Sequence, residues 1–427
     1  MKLAVFTSWY PARITTFFER DMRALVDAGV DVDVFAIAPL DPAMWQHSLD
    51  LLSSAHLPRK RVHHLTLTAA AGGALPTLLR NPLIALRDLF RVLPGAARKG
   101  RVVFAKTAYV FPKAWAWANE FGDRYDHVLA YWGNYAGTCA YAFHRIVEAR
   151  TNRKIPFSIW LHAGIDLYAA PVFLREKVQY ADNIITCCEF NQRYIARAFP
   201  GARTTRKVHV CHHGLDLSRF PYRAEDRDGN RILAVGRLRK HKGFDYLIRA
   251  AALLAQRGHD FSLEIVGDGA ERDALQALAA ELGIAHRLRL RGWLSLSEVL
   301  QTMGEATVLV HPSEGLGDGL PNVVREAMAV GTPVIGSDVA GIPDALRDGC
   351  GVLVPPRDVP GLADALEQLL ADPHRRREIA ACARQRAADR YDLWRNGARL
   401  ASLLTETRRA SPRPSLGHAL TEPSPLC

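Results

Sequence analysis

Gly315-Leu-Gly-Asp-Gly-Leu-Pro-Asn-Val-Val-Arg-Glu-Ala-Met-Ala-Val-Gly-Thr-Pro-Val-Ile-Gly-Ser337 reads in turn as loop, helix and strand. Three glycines, Gly315, Gly317 and Gly319, make a pliant loop that ends at Pro321, a residue favoured at the first position of a helix. A helix is predicted from Asn322 to Val330, stopped by Gly331. The apolar, β-branched run Pro333-Val-Ile335 is predicted to return as a buried strand. A loop feeding a helix start is an anion site, because the first N–H groups have no intrahelical partner and the helix dipole adds positive charge. Two carboxylates flank it, Asp318 in the loop and Glu326 within the helix, so both can face one polyhydroxylated ligand. Phosphate-binding amides beside hydroxyl-binding carboxylates point to a nucleotide sugar.

The same alternation runs outward to both ends of the chain. Strands are predicted at 2–7, 30–37, 128–131, 157–161 and 183–187, with helices at 16–27 and 136–148 between them. The second half repeats the plan, with strands at 231–235, 262–266, 287–291 and 307–310, and helices at 244–257, 272–282 and 297–304. Strands alternating with helices imply an α/β chain with parallel sheets. A chain of 427 residues exceeds one core, so two domains of roughly 200 residues are expected. The break is placed between Leu215 and Asp228, where Pro221 and a polar run interrupt the pattern.

The central stretch resembles the Glu-x7-Glu motif of the retaining, two-domain (GT-B) glycosyltransferases of family 4. The resemblance implies that Asp318 binds hydroxyls of the donor sugar and Glu326 the ribose. Asp318 departs from the usual Glu, and one methylene fewer shortens the arm by about 1.5 Å, so Glu314 is kept as an alternative contributor. Gly236-Arg-Leu-Arg-Lys-His-Lys-Gly243 resembles the family's Arg-x4-Lys-Gly element, in which Arg237 and Lys242 would clamp the diphosphate. Val266-Gly-Asp-Gly269 resembles the next strand-to-helix turn and brings in Gly267. Read as a dinucleotide fingerprint it is incomplete, since position 272 is Arg. Trp293 falls where the family's nucleobase pocket lies, and is expected either to touch the base or to pack internally. Ile159-Trp-Leu-His162 resembles a strand whose final His contacts the donor near its diphosphate; Asp166 stands one residue further on than in the His-x-x-Asp form. Phe6-Thr-Ser-Trp-Tyr-Pro11 to Phe17-Phe-Glu-Arg20 resembles the first loop of members that build bacterial exopolysaccharides, and His212 to Phe220 the interdomain segment.

The resemblance spans nearly the whole chain in order and is weakest from about residue 40 to 125. It implies two Rossmann-like parallel-sheet domains facing a cleft. The first, at 1–218, would bind the acceptor and the second, at 219–388, the nucleotide sugar. A helix at 389–405 would cross back to the first domain, and 406–427 would form a disordered tail. The implied donor site comprises Gly236, Arg237, Lys242, Gly267, Trp293, Asp318, Gly319, Leu320, Pro321, Asn322 and Glu326. His162, Arg237, Lys242 and Asp318 would stand at the reacting centre. The implied reaction moves a sugar from a UDP- or GDP-sugar to a saccharide or lipid-linked saccharide in surface polysaccharide synthesis, with no cofactor beyond that co-substrate. No His/Cys cluster and no Asp-x-Asp inside these motifs suggests a metal, so none is expected. Two other readings stay open: a non-catalytic, membrane-associated carbohydrate-binding or scaffold protein, and a sugar-nucleotide 2-epimerase on the same fold.

Composition sets the remaining bounds. Hydrophobic residues at 48% and charged residues at 23% exclude a disordered chain. The N-terminus lacks a secretory h-region and no uncharged apolar run reaches the length of a membrane span, so a cytoplasmic protein is expected. Seven scattered cysteines without a C-x-x-C pair suit a reducing compartment better than a disulfide framework or a zinc site. The net charge of +11 is concentrated between Arg59 and Arg124, where twelve Lys/Arg face three Asp/Glu. Bulky apolar and aromatic residues interleave with those bases, which fits either an interfacial helix pair at the inner membrane face or amphipathic helices packed on their own domain. Nucleic acid could use such a patch, but no nucleic-acid motif accompanies it, and none is expected as a partner.

Overall fold

Thirteen strands sort into two separate sheets in the computed structural model, which describes residues 1–11, 16–39, 57–169, 171–201, 207–223, 227 and 230–410. The first sheet holds β1 (Lys2–Thr7), β2 (Asp31–Ala36), β3 (Val62–His63), β4 (His127–Ala130), β5 (Phe157–Leu161), β6 (Asn183–Thr186) and β7 (Val208–Val210). Its order is β3-β2-β1-β4-β5-β6-β7. The second holds β8 (Arg231–Val235), β9 (Ser262–Val266), β10 (Leu288–Gly292), β11 (Val308–His311), β12 (Val334–Ser337) and β13 (Val352–Val354), ordered β10-β9-β8-β11-β12-β13. All pairings are parallel. The α/β architecture of two Rossmann-like domains is thus as the strand–helix alternation predicts. Every residue of β4, β5, β6, β11 and β12 is buried, as expected of strands covered by helices on both faces. Strand order reverses between β1 and β4 in one sheet and between β8 and β11 in the other. At such switch points the carboxyl ends of the strands leave a crevice for ligand.

The opening stretch folds as its residues dictate. A single 3-10 turn, Leu316–Asp318, leads through Pro321 into the helix Asn322–Val330, which ends on Gly331 at φ +84° and continues into β12. The helix Leu393–Ala410 crosses back to the first domain. There Leu400 and Leu404 are buried beside Met22 and Leu25, and His127 Nδ1 donates to the Leu404 carbonyl at 3.1 Å. The outgoing and returning connectors touch on the way: Leu215 N–H donates to the Tyr391 carbonyl (2.6 Å), and Leu393 N–H to the Leu215 carbonyl (3.0 Å). The tail expected from residue 406 needs a correction, because 406–410 continue this helix; 411–427 lie outside the described residues.

The basic window resolves into three helices, Leu67–Arg80, Pro82–Arg98 and Arg101–Phe121. Phe111, Trp115 and Trp117 are core, packed under the first sheet, whereas Leu79, Leu83 and Phe90 stand out in solvent. Among the described residues no helix is long and apolar enough to cross a membrane. The cysteine reading needs a correction, because Cys350 and Cys382 form a disulfide in the second domain. They are 32 residues apart and meet only because the helix Pro373–Arg390 folds back beside the loop before β13. Cys139, Cys187, Cys188 and Cys211 are free and buried.

Candidate active site

Between the two switch points lies a cavity of about 410 Å³ with walls from both domains. The second domain contributes Gly236, Arg237, Lys242, Gly267, Trp293, Leu320, Pro321, Asn322 and Glu326, and the first contributes Phe17, His162, Cys187 and His213. Residues from motifs up to about 310 positions apart in the chain are therefore brought to one place. Gly319 lies just behind this lining. Asp318 contributes its backbone to the 3-10 turn, and its side chain lies outside the described residues.

The second-domain wall is built at strand ends. β8 stops at Val235, and Gly236 N–H donates to the Val266 carbonyl at 2.9 Å, drawing the ends of β8 and β9 together. Gly267 sits at φ +136°, where a Cβ would strike the Gly236 carbonyl, so only glycine lets the two loops approach. Arg237 precedes, and Lys242 ends, the single turn Lys240–Lys242 that leads into the helix Phe244–Gln256. Trp293 is 56% exposed at the cavity rim, so the internal-packing alternative for it is removed. Glu314 is also withdrawn as a substitute for Asp318. Its carboxylate accepts from the Tyr246 hydroxyl (3.0 Å) and Arg357 Nε (2.9 Å), and it does not line the cavity.

On the first-domain wall, His162 follows β5 and is held by Asp166. One Asp166 oxygen accepts from the His162 backbone N–H at 2.9 Å and lies 3.5 Å from Nδ1; the other accepts from the backbone of Gly133 and Asn134. The buried Lys177 donates to the Gly133 carbonyl (2.6 Å) and Thr138 Oγ1 (3.0 Å), and burial pulls its pKa down to about 7. His213, after β7, stacks parallel to His162 with ring centroids 5.0 Å apart, and its Nδ1 lies 2.6 Å from Asp21 Oδ2. Burial works against the imidazolium, but the Asp21 carboxylate outweighs it and raises the His213 pKa.

Three contacts tie the walls together. Arg20 Nη2 meets Glu326 Oε1 at 3.0 Å, Arg325 donates to the His213 carbonyl, and a Cβ at Gly319 (φ +59°) would lie 2.9 Å from Ala163. Asp21, Cys187, Arg20 and His213 were not among the expected site residues. Their segments stand out in the sequence only as landmarks. The pairing of Asp21 with His213 spans 192 residues and leaves no local trace. An Asp-x-Asp spacing does occur at Asp31-Val-Asp33, but both carboxylates face Arg61, at 2.6 and 3.2 Å, away from the cavity.

Residues 220–386 match the family described as glycosyl transferases group 1. That match falls on the second domain. Alpha-D-kanosaminyltransferase of Streptomyces kanamyceticus is 36% identical over 41% of this chain and 45% of its own length. The amylovoran biosynthesis glycosyltransferase AmsK of Erwinia amylovora is 27% identical over 86% of this chain and 90% of its own. The chain spans about half the length of most curated relatives it matches. The solved structure of Anabaena HepE in complex with UDP and glucose superposes with a TM-score of 0.68 at 18% identity, covering 95% of this chain and 100% of that one. At that identity the likeness establishes the GT-B fold of the whole chain and nothing finer.

Proposed function

We propose that this chain is a retaining glycosyltransferase of family 4. In this reading it moves a sugar from a UDP- or GDP-sugar to a saccharide or lipid-linked saccharide acceptor in surface polysaccharide synthesis. One observation carries the reading: Arg237, Lys242 and the helix start at Pro321–Asn322 share a single cavity with His162 on the facing domain. The nucleobase would lie beside Trp293, the ribose at Glu326, the diphosphate on Arg237, Lys242 and the helix amides, and the sugar between His162 and Asp318. Cleaving the glycosidic bond leaves negative charge on the diphosphate, and fixed cations placed there stabilise the transition state more than the ground state. The acceptor hydroxyl attacks on the face from which the diphosphate departs and gives its proton to that phosphate, so no side-chain base is needed. The two cations and the amides take the place of a metal. Support comes from AmsK, named for amylovoran biosynthesis, and from HepE, solved with UDP and glucose.

Donor turnover by the purified protein, with EDTA present, tests this reading against a 2-epimerase or a non-catalytic scaffold. Lys242→Ala and Arg237→Ala should each lower turnover by on the order of a hundredfold or more. Wild-type turnover in both variants would refute the diphosphate assignment. We further propose that the protein works at the cytoplasmic membrane face, held peripherally by the basic helices of the first domain.

A further inference from the structure

We propose that the outward face of the helix Pro82–Arg98 is a lipid site, a groove that seats one hydrocarbon chain of a phosphate-headed membrane lipid. It rests on the peripheral attachment proposed above, which brings the lipid within reach, and turns a charged surface into a seat for a single molecule. The helix packs the wrong way round. Its buried positions are Ala85, Asp88, Val92 and Ala96, which are small or polar, whereas Leu83, Leu86 and Phe90 stand in solvent. A surface helix ordinarily turns its large apolar residues to the core. Asp88 fixes the inverted orientation. It is fully buried and its carboxylate meets Arg145 Nε at 2.9 Å. Rolling the helix to hide Leu86 and Phe90 would carry that carboxylate out and leave Arg145 buried without it.

At about 3.6 residues per turn, Leu83, Leu86, Phe90, Leu93 and Ala97 fall on one stripe. From Leu86 onward, this stripe and Phe104 of the helix Arg101–Phe121 line an open groove of about 400 Å³, and every side chain in the lining is apolar. The charges beside it have one sign. Arg87, Arg91 and Arg98 lie within about 40° of one another around the helix, along one edge of the stripe. Lys99 and Arg101, both exposed, follow at the Ala97 end of the groove, so the cations are densest there. Asp88, turned inward, is the one carboxylate from Val62 to Asn119. A complementary occupant is therefore apolar along its length and anionic at one end. A second copy of the chain does not qualify, because it would set the same arginines against these. A lipid phosphate does: its chain needs no hydrogen bond from its seat, and the lining side chains offer none.

Decyl phosphate, kept below its micellar concentration, is the probe, titrated calorimetrically into the full chain. Each methylene moved from water into an apolar seat strengthens binding about fourfold. Decyl phosphate should therefore bind one to one, and at least about tenfold more tightly than hexyl phosphate. Uncharged decyl maltoside should bind at least about tenfold more weakly than decyl phosphate, and inorganic phosphate should not saturate over the same range. Leu86→Ser combined with Phe90→Ser, at two exposed positions where folding is spared, should lower decyl phosphate affinity at least about tenfold and leave the melting temperature unchanged. Affinity independent of chain length, or unaltered in the double variant, overturns the proposal. So does a concentration-dependent dimer that the double variant abolishes, which would give the groove to a second copy. If decyl phosphate binds as stated while the protein ignores anionic vesicles, the groove stands and the peripheral attachment fails.

Discussion

Glu326 carries two obligations at once, since one of its oxygens holds Arg20 of the opposite domain at 3.0 Å while the residue lines the cavity. A carboxylate that binds ribose serves free nucleotide and donor alike, whereas one that binds the sugar serves only the intact donor. Glu326→Ala should therefore weaken binding of free UDP or GDP roughly ten- to a hundredfold, the worth of hydrogen bonds to a charged group. Asp318→Ala should leave that binding unchanged and weaken only the sugar nucleotide. Calorimetric titration of both variants decides; if each binds the free diphosphate as wild type does, the role given to Glu326 is wrong. These residues are legible in the sequence because both sit in one contiguous motif between β11 and β12. Arg20, Asp21 and His213 are not, because their partners are chosen by the docking of two domains.

At the scale of elements, strand–helix alternation predicts both sheets, since parallel strands and the helices that cover them have distinct periods. The window from 59 to 124 defeats that reasoning. Apolar residues at helical spacing mixed with arginine describe equally a helix packed on its domain and one lying on a lipid surface. The fold divides the window between the two. The helix Arg101–Phe121 buries Phe111, Trp115 and Trp117, while the helices Leu67–Arg80 and Pro82–Arg98 expose Leu79 (73%), Leu83 (82%) and Phe90 (75%). Asp88, the one carboxylate between Val62 and Asn119, is buried against Arg145 at 2.9 Å, so the exposed charges on the helices Leu67–Arg80 and Pro82–Arg98 are cationic. Each basic residue near an anionic surface contributes on the order of 1 kcal/mol, and salt screens it. Replacing Arg80, Arg87 and Arg91 together with Gln should abolish co-sedimentation with anionic vesicles while preserving turnover on a soluble acceptor. Sedimentation indifferent to both the triple variant and added salt would show that this face serves packing and solubility alone.

The molecule as a whole is fastened along the seam between its domains. Glu189, at the start of a first-domain helix, lies 3.7 Å from His212 and 3.3 Å from Arg390, the last residue of the helix Pro373–Arg390. Burial alone would raise its pKa, but the His212 hydrogen bond and charge, with help from Arg390, bring it down to about 2. A carboxylate lowered on folding stabilises fully above its unfolded value near 4.3, and that contribution fades as pH falls through the folded value. Glu189→Gln should therefore cost on the order of 1–2 kcal/mol at pH 7 after solvent screening, and the gap to wild type should close between about pH 4.5 and 2. Denaturant melts across that range measure it, and a gap that stays constant down to pH 2.5 would rule out the ion cluster as its source. The same seam contains the paired connectors, Leu215 bonded to Tyr391 and Leu393. Two chains bridging side by side behave as a strap with width. Such a strap resists twisting of one half against the other, which keeps the wall bearing His162 in register opposite Arg237. Nor is the first half a severable stretch of sequence: its last helix is made after the second half is complete, and a chain stopped at residue 390 would leave Met22 and Leu25 bare.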